Sequence, residues 1–338
     1  MSKIAIIGAG SCGTALAIAL ARSREHHRLS LWAHGSDVLT ELRDRRENSV
    51  YLPGMRISDE TEVTGNLGEA LAGAHIVLGV MPSAHARAVY TSMLPYLDAP
   101  GAAQTIFVSA TKGLQHDSLA RMSEVIREVI GQKSVPRVAA LSGPSFALEV
   151  ARGDPTAVVI ASGDLHCASE IQREFSGSTL RLYTNDDIVG VELGGAVKNV
   201  ISLAAGVCAG LGLGANTSAA LITRGLSEMT RLAVKLGARP ETLGGLAGLG
   251  DLVLTCNGAL SRNRYVGFEL GKGRSLDDIL AGMTMIAEGV GTAAALLALG
   301  REHHLELPIT EQVNAILQQW KSPAEAIRDI MDRPLKRE

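Results

Sequence analysis

A lysine and an asparagine stand side by side at Lys198-Asn199, near the start of the stretch 191–208, whose other residues are almost all apolar or small. Lysine is rarely buried without a partner. A desolvated lysine gives up its proton more readily and serves acid–base chemistry. Taken alone, the pair also fits a helix end whose Lys198 snorkels to water along an apolar surface. Two further clusters carry polar groups in suggestive order. Gly244 to Asp251 puts a carboxylate after a glycine-rich corner, with Thr255 four residues on. Ser261-Arg262-Asn263-Arg264 opens a helical pattern, so a hydroxyl, a guanidinium, an amide and unpaired helix N–H groups come together as a possible phosphate clamp. Ordinary helix capping is the competing use of the same residues. Glu288 falls just before a helix, where a carboxylate suits the helix dipole or a cofactor hydroxyl. Lys112 sits on a Thr-Lys-Gly corner, a place for a cation that meets phosphate or substrate oxygen.

The elements that must position these groups alternate at first. Lys3 to Ile7 is a short β run, followed at once by Gly8-Ala-Gly10-Ser11-Cys12-Gly13 and a helical pattern over 14–24. Strand, GxGxxG and helix in this order form the context of a dinucleotide fingerprint. Gly8 permits the tight turn, Gly10 lets the backbone approach a diphosphate, and Gly13 lets the helix pack on the sheet. Further strands are expected at 28–32, 61–64, 75–80, 104–108, 138–141, 156–161 and 179–183, with a helix over 165–175. Strands four, five and six run into loops with small or hydroxyl residues: Met81-Pro-Ser83, Ser109 to Gly113, and Ser142-Gly143-Pro-Ser145. Ligands of doubly wound sheets bind at such carboxyl ends. Ser83 suits an N-cap, and Asp186 or Asp187 suits the cap of the helix carrying Lys198. No carboxylate stands at the tip of strand two, where the chain reads Ala33-His34-Gly35-Ser36 and Asp37 opens the next helix. That leans toward NADPH over NADH, with His34 and the helix N-terminus near a 2′-phosphate.

Beyond residue 187 the patterns are helical, over 188–209, 217–236, 241–247, 262–270, 276–281, 289–303, 309–319 and 323–331, with Asn216 or Thr217 as a cap. The expected fold is therefore α/β: an N-terminal Rossmann-type dinucleotide-binding domain over 1–187, then an all-α substrate-binding domain over 188–338. The 338 residues exceed the usual single core and agree with two domains. A formal net charge of −3 gives no basic field for a nucleic acid. Four scattered cysteines, without zinc-ligand spacing, fit free thiols in a reducing cytoplasm and no metal. The most apolar run, 200–213, is shorter than the roughly 18–20 residues of a membrane span. It reads as a buried helix.

These residues together resemble the bacterial NAD(P)-dependent glycerol-3-phosphate dehydrogenases. The matching stretches are Ile6-Ile-Gly-Ala-Gly10 with Gly13-Thr-Ala-Leu16, Tyr51-Leu-Pro-Gly54, Pro82-Ser83, Thr111-Lys-Gly113, Ser142 to Ser145, Gly194 to Asn199, Gly248-Leu-Gly-Asp251, Ser261 to Asn263, Ala287 to Val290 and Arg333-Pro-Leu-Lys336. They stand in the family's order over nearly the whole chain. The resemblance implies reduction of dihydroxyacetone phosphate to sn-glycerol 3-phosphate, which feeds phospholipid synthesis, by a cytoplasmic enzyme that is often a homodimer. It makes Lys198 the proton donor and acceptor; on chemical grounds a carboxylate such as Asp251 is expected to orient that lysine. It assigns Lys112, Gly143, Ser145, Lys198, Asn199, Asp251, Ser261, Arg262 and Asn263 to substrate. It assigns Ser11, Cys12, His34, Lys112, Ala147, Arg262, Ile286 and Glu288 to NADH or NADPH, beside the fingerprint glycines Gly8, Gly10 and Gly13. The chain departs from the family pattern at Cys12, where an aromatic residue is common, and near His34, where arginine is common. A β-hydroxyacid dehydrogenase of similar build, or a dinucleotide-binding sensor without catalysis, remains the alternative at this stage.

Overall fold

The computed structural model describes residues 2–97, 104–115, 117–335 and 337; Lys336 of the last matching stretch lies outside them. Contacts divide the chain into two compact units, Met1–Glu192 and Leu193–Glu338.

The first unit is built on an eight-stranded sheet. In chain order its elements are β1 (Lys3–Ile7), α1 (Ser11–Ala21), β2 (Arg28–Trp32), α2 (Ser36–Asp44), β3 (Glu47–Asn48), β4 (Leu52–Arg56), β5 (Glu62–Thr64), α3 (Leu67–Leu71), β6 (Ile76–Gly79), α4 (Ser83–Met93), β7 (Ile106–Ser109), α5 (Met122–Ile130), β8 (Arg137–Ser142), α6 (Ala147–Arg152), β9 (Thr156–Ala161), α7 (Leu165–Phe175) and β10 (Leu180–Asn185). The strand order is β10-β9-β8-β7-β6-β1-β2-β5. All neighbours run parallel except β8 and β9, which pair antiparallel. A parallel sheet covered on both faces calls for unbroken apolar strands. β1 obeys, with Ile4, Ile6 and Ile7 at 0% exposure; each such side chain contributes about 1.5–3 kcal/mol by burial. The chain leaves β1 for β2 on one side and later returns to β6 on the other, which places the topological switch point at the end of β1.

Most strand expectations hold to within two residues. Three details differ. The first helix begins at Ser11, inside the GxGxxG loop, and ends at Ala21. Ser83 is the first helical residue of α4, and Pro82 stands at the cap position before it. The stretch 47–56 forms a small antiparallel hairpin, β3–β4, with a register shift. Its strands are too short, and too rich in Glu, Asn, Pro and Gly, to show an alternating pattern.

The second unit is helical. α8 (Ile188–Gly210) begins in the first unit and runs into the second. It is followed by α9 (Ala215–Lys235), α10 (Pro240–Gly244), a π-helical turn (Leu246–Gly250), α11 (Asp251–Asn257), α12 (Arg262–Gly271), α13 (Leu276–Ala281), α14 (Glu288–Glu302), α15 (Pro308–Leu317) and α16 (Pro323–Met331). Asp187 caps α8, accepting from the Gly190 N–H at 2.8 Å. α9 starts earlier than expected, at Ala215 after Gly214, so Asn216 and Thr217 lie within the helix instead of capping it. With its 23 residues α8 is longer than the apolar run seen in sequence, and it is the one helix among the described residues long and apolar enough to cross a membrane. Its most apolar window is 89% buried inside the protein. Small residues allow that burial. A Cβ on Gly206 would meet the Arg264 carbonyl oxygen at 2.1 Å, and one on Gly267 would meet that of Leu203 at 2.0 Å. The α8 and α12 backbones are therefore in contact, with no side chain between them there.

Two buried glutamates brace the frame. Glu192, in the second turn of α8, accepts from the Ser123 N–H at 2.7 Å, the Ser123 hydroxyl at 2.6 Å and Arg121 at 2.9 Å. It thereby ties α8 to the N-terminus of α5. Glu228 on α9 does the same for α15, accepting from the N–H groups of Ile309 and Thr310 at 2.9 and 3.0 Å and the Thr310 hydroxyl at 2.7 Å. Burial pushes both carboxyls above the ordinary range.

Candidate active site

The glycine loop of the first unit is shaped by what a side chain would strike. Gly8 has φ +119°, and a Cβ there would lie 2.4 Å from the Val80 carbonyl oxygen. A Cβ on Gly13 would lie 1.8 Å from the carbonyl oxygen of Gly8. Gly10, by contrast, would meet nothing within 4 Å. Two glycines thus close the loop onto the sheet, and the third leaves open space at the N-terminus of α1. That is the cradle a diphosphate needs, and the residues present fit a dinucleotide. Asn48 of β3 holds the loop from behind, donating to the Ala9 carbonyl at 2.8 Å and the Thr14 hydroxyl at 2.9 Å. A lone asparagine in a polar stretch gives no sequence signal for this role. At the far end of β2, His34 is exposed and lies against the Trp32 ring, with centroids 5.7 Å apart. Asp37 lies in the first turn of α2 and accepts from the Ser36 hydroxyl at 3.1 Å.

The carboxyl ends of β7 and β8 bring Lys112, Gly143 and Ser145 together. Lys112 Nζ donates to the Gly143 carbonyl at 2.8 Å and reaches the Ser145 hydroxyl oxygen at 3.5 Å. Ser145 itself donates to the Gly143 carbonyl at 2.9 Å. Gly143 has φ +135°, and a Cβ there would stand 3.0 Å from Val158 Cα. Ala147 follows as the first residue of α6.

In the second unit Lys198 is only 5% exposed, which decides between the two sequence readings: the side chain does not snorkel. Its ammonium donates to the Asp251 carboxylate and, at 2.8 Å, to the Thr255 hydroxyl. Asp251 and Thr255 are four residues apart on α11, so they share one helix face. Thr255 in turn donates to the Asp251 carbonyl at 2.6 Å. The sequence shows the i, i+4 spacing of Asp251 and Thr255, but no helical pattern over 251–257 that would put them on one face, so it assigns Thr255 no role. The glycine-rich stretch before Asp251 is a π-helical turn rather than a corner. Its glycines serve packing: a Cβ on Gly248 would strike the Leu243 carbonyl oxygen at 2.1 Å, and one on Gly194 of α8 that of Ala247 at 2.5 Å. Close approach of the two backbones brings Asp251 to Lys198.

Asn199 is the next residue on α8 and therefore points about 100° around the helix, toward α12. There Asn263 donates to its side-chain oxygen at 3.0 Å and accepts from the Gly289 N–H at 2.9 Å. This chain of amides ties α8, α12 and α14 together. Ser261 caps α12, accepting from the Arg264 N–H at 3.2 Å, and keeps its own proton to donate. Arg262 donates one N–H to the Ile286 carbonyl at 2.8 Å. Glu288 is the first residue of α14, two residues beyond Ile286. The assigned residues therefore form a glycine loop and the Lys112 group in one unit, and the Lys198–Asp251 and Arg262–Glu288 groups in the other. No cluster of three His, Cys, Asp or Glu side chains suited to a metal exists among the described residues.

A doubly wound sheet with a fingerprint loop, joined to a helical unit holding a buried lysine–aspartate pair, defines a nicotinamide-dependent dehydrogenase architecture. Comparison with known proteins gives the family. Residues 3–168 match the model for the N-terminus of NAD-dependent glycerol-3-phosphate dehydrogenase, and residues 187–328 match the model for its C-terminus. A glycerol-3-phosphate dehydrogenase [NAD(P)+] of Koribacter versatilis is 56% identical over 335 residues, covering 99% of this chain and 98% of that protein. One from Acidobacterium capsulatum is 52% identical over 339 residues, covering 99% of each. Among solved structures, glycerol-3-phosphate dehydrogenase from Coxiella burnetii superposes with a TM-score of 0.91 at 40% identity, covering 98% of this chain and 99% of that one. The chain belongs to the NAD-dependent glycerol-3-phosphate dehydrogenase family.

Proposed function

We propose that this protein reduces dihydroxyacetone phosphate to sn-glycerol 3-phosphate with NADH or NADPH, reversibly, and so supplies the glycerol phosphate backbone of phospholipids. The observation that carries the reading is the buried Lys198 ammonium held by Asp251 and Thr255. Carbonyl reduction needs a hydride at carbon and a proton at oxygen. The bound nicotinamide supplies the hydride. Lys198 supplies the proton to the developing alkoxide, and in the reverse direction takes it from the hydroxyl. Asp251 holds and aims the ammonium, and Thr255 fixes it from a second side. Burial strengthens both interactions, since charges attract more strongly away from water.

The remaining groups hold the substrate. Arg262 spends one of its five donors on Ile286 and offers the others to phosphate oxygens. The Ser261 hydroxyl and the unused amide hydrogen of Asn263 stand on the same first turn of α12, with Asn199 bonded to Asn263. Lys112, with Gly143 and Ser145, presents a cation and a hydroxyl to substrate oxygens in the first unit. The fingerprint loop, His34 and Ala147 in the first unit, and Arg262, Ile286 and Glu288 in the second, contact the dinucleotide. The open end of β2, without a carboxylate before Asp37, suits a 2′-phosphate and favours NADPH. The first domain of this reading ends at residue 187, where Asp187 caps α8. The enzyme works in the cytoplasm as a homodimer.

Phosphate binding is tested by Arg262→Ala. The expected result is a KM for dihydroxyacetone phosphate raised by about 10²-fold, the worth of a charge-assisted pair, with a much smaller effect on dihydroxyacetone itself. Equal damage with both substrates would contradict the clamp. A panel that includes β-hydroxyacids separates the proposal from the alternative dehydrogenase chemistry: turnover should be confined to the phosphorylated triose.

A further inference from the structure

Inside the first unit, between α1, α6 and the sheet, lies a closed-in cavity of about 30 Å³. Its walls are mostly apolar, but Cys12, Lys112, Ser142 and Ser145 also line it. Ser142 is 5% exposed, and its hydroxyl is buried with no hydrogen-bond partner among the described residues. A native protein seldom leaves such a group unpaired. The volume admits about two water-sized groups, so there is room for an added oxygen atom beside the Cys12 sulfur.

Cys12 differs from the other three cysteines. It is half-buried and the second residue of α1, where the helix N-terminus favours negative charge. Cys167, Cys208 and Cys256 are fully buried, and burial pushes their thiols up, that of Cys256 to about 12. Reagents that need a thiolate and access will select Cys12.

We propose that Cys12 is a peroxide-sensitive modification site whose sulfenic acid is housed by this cavity, with Ser142 as hydrogen-bond partner, and that its oxidation shuts off dinucleotide binding. The thiolate sulfur attacks one oxygen of hydrogen peroxide; an S–O bond forms and the O–O bond breaks. The released hydroxide takes up the thiol's proton and leaves as water, so the thiol is oxidised to sulfenic acid and the peroxide is reduced. Cys12 belongs to the Gly8–Gly13 loop, so anchoring its new oxygen to Ser142 draws the first turn of α1 toward the cavity and displaces the N–H groups that a diphosphate would take. A small thiol reverses the change through a mixed disulfide. The shut-off rests on the dinucleotide reading of the loop; the modification itself does not.

The test treats the full-length wild type, Cys12→Ala and Ser142→Ala with hydrogen peroxide. Each sample is trapped with dimedone, which labels sulfenic acids. Peptide mass mapping and NADH titration by fluorescence follow. The expected result is a dimedone adduct on the Cys12 peptide and an NADH affinity at least about tenfold weaker, restored by dithiothreitol. Saturating NADH should suppress the adduct. In Cys12→Ala, peroxide should leave the variant's own NADH affinity unchanged. In Ser142→Ala the adduct should form about tenfold more slowly, for want of one hydrogen bond. No adduct on Cys12, adducts mainly on another cysteine, or an adduct that leaves NADH affinity intact would each overturn the proposal; an unaltered rate in Ser142→Ala would overturn the role of the cavity. Failure of the untreated protein to bind NADH would instead overturn the cofactor reading and the shut-off with it, while the adduct would still decide the site.

Discussion

Replacing Lys198 with alanine is expected to lower turnover by about 10²–10⁴-fold, the usual worth of a positioned acid–base group, while NADPH binding stays near the wild-type value. The fingerprint loop lies in Met1–Glu192 and the lysine in Leu193–Glu338, so the change touches chemistry without touching the loop. Truncation leaves Asp251 buried without its cation, which itself costs about 3–5 kcal/mol of stability. Thermal unfolding should therefore be recorded alongside. Lys198→Met keeps the volume of the stem and should lose turnover to the same extent. A folded Lys198→Ala protein with wild-type turnover would remove the lysine from the reaction.

The second large effect is expected at Gly10. Its φ of −76° and ψ of −175° suit any residue, and a Cβ there meets nothing within 4 Å. Gly10→Val should therefore leave stability within about 0.5 kcal/mol of wild type. The new side chain would occupy the space above the α1 N-terminus, where a diphosphate would be held, and is expected to weaken dinucleotide binding by about 10²-fold. Gly8→Ala makes the contrasting case. Its positive φ and the 2.4 Å approach to the Val80 oxygen mean that stability falls with binding. If Gly10→Val bound the dinucleotide normally, the diphosphate would not lie over this loop.

The sequence is most informative where a role is local. β1, the glycine loop and α1 follow one another without interruption from Lys3 to Ala21, so the fingerprint is legible from one short stretch. Ser261 and Asp187 are legible as caps for the same reason. Lys198 is not legible alone. Whether it snorkels or is buried depends on α11, and α11 is hidden behind seven residues of Gly, Leu and Ala, Gly244 to Gly250, that read as a corner. The π-helical turn there is stabilised by contacts with Leu243 and with Gly194 on α8, which are matters of packing between segments far apart in the chain. Asn48 and Glu192 escape notice for a related reason. Each is a single polar residue whose partners, Thr14 and Arg121–Ser123, lie 34 to 71 positions away. The family resemblance supplied roles for Arg262, Ile286 and Glu288 that periodicity could not; the structure adds that Arg262 and Ile286 are hydrogen-bonded.

The central claim is that this protein passes a hydride from a reduced nicotinamide to dihydroxyacetone phosphate. The most direct test follows nicotinamide absorbance with purified wild-type protein, dihydroxyacetone phosphate, and NADH and NADPH in parallel. The account predicts a steady fall in absorbance that requires the phosphorylated triose, with glycerol 3-phosphate formed in equal amount. A protein that binds the dinucleotide yet leaves the absorbance unchanged at saturating dihydroxyacetone phosphate would contradict it.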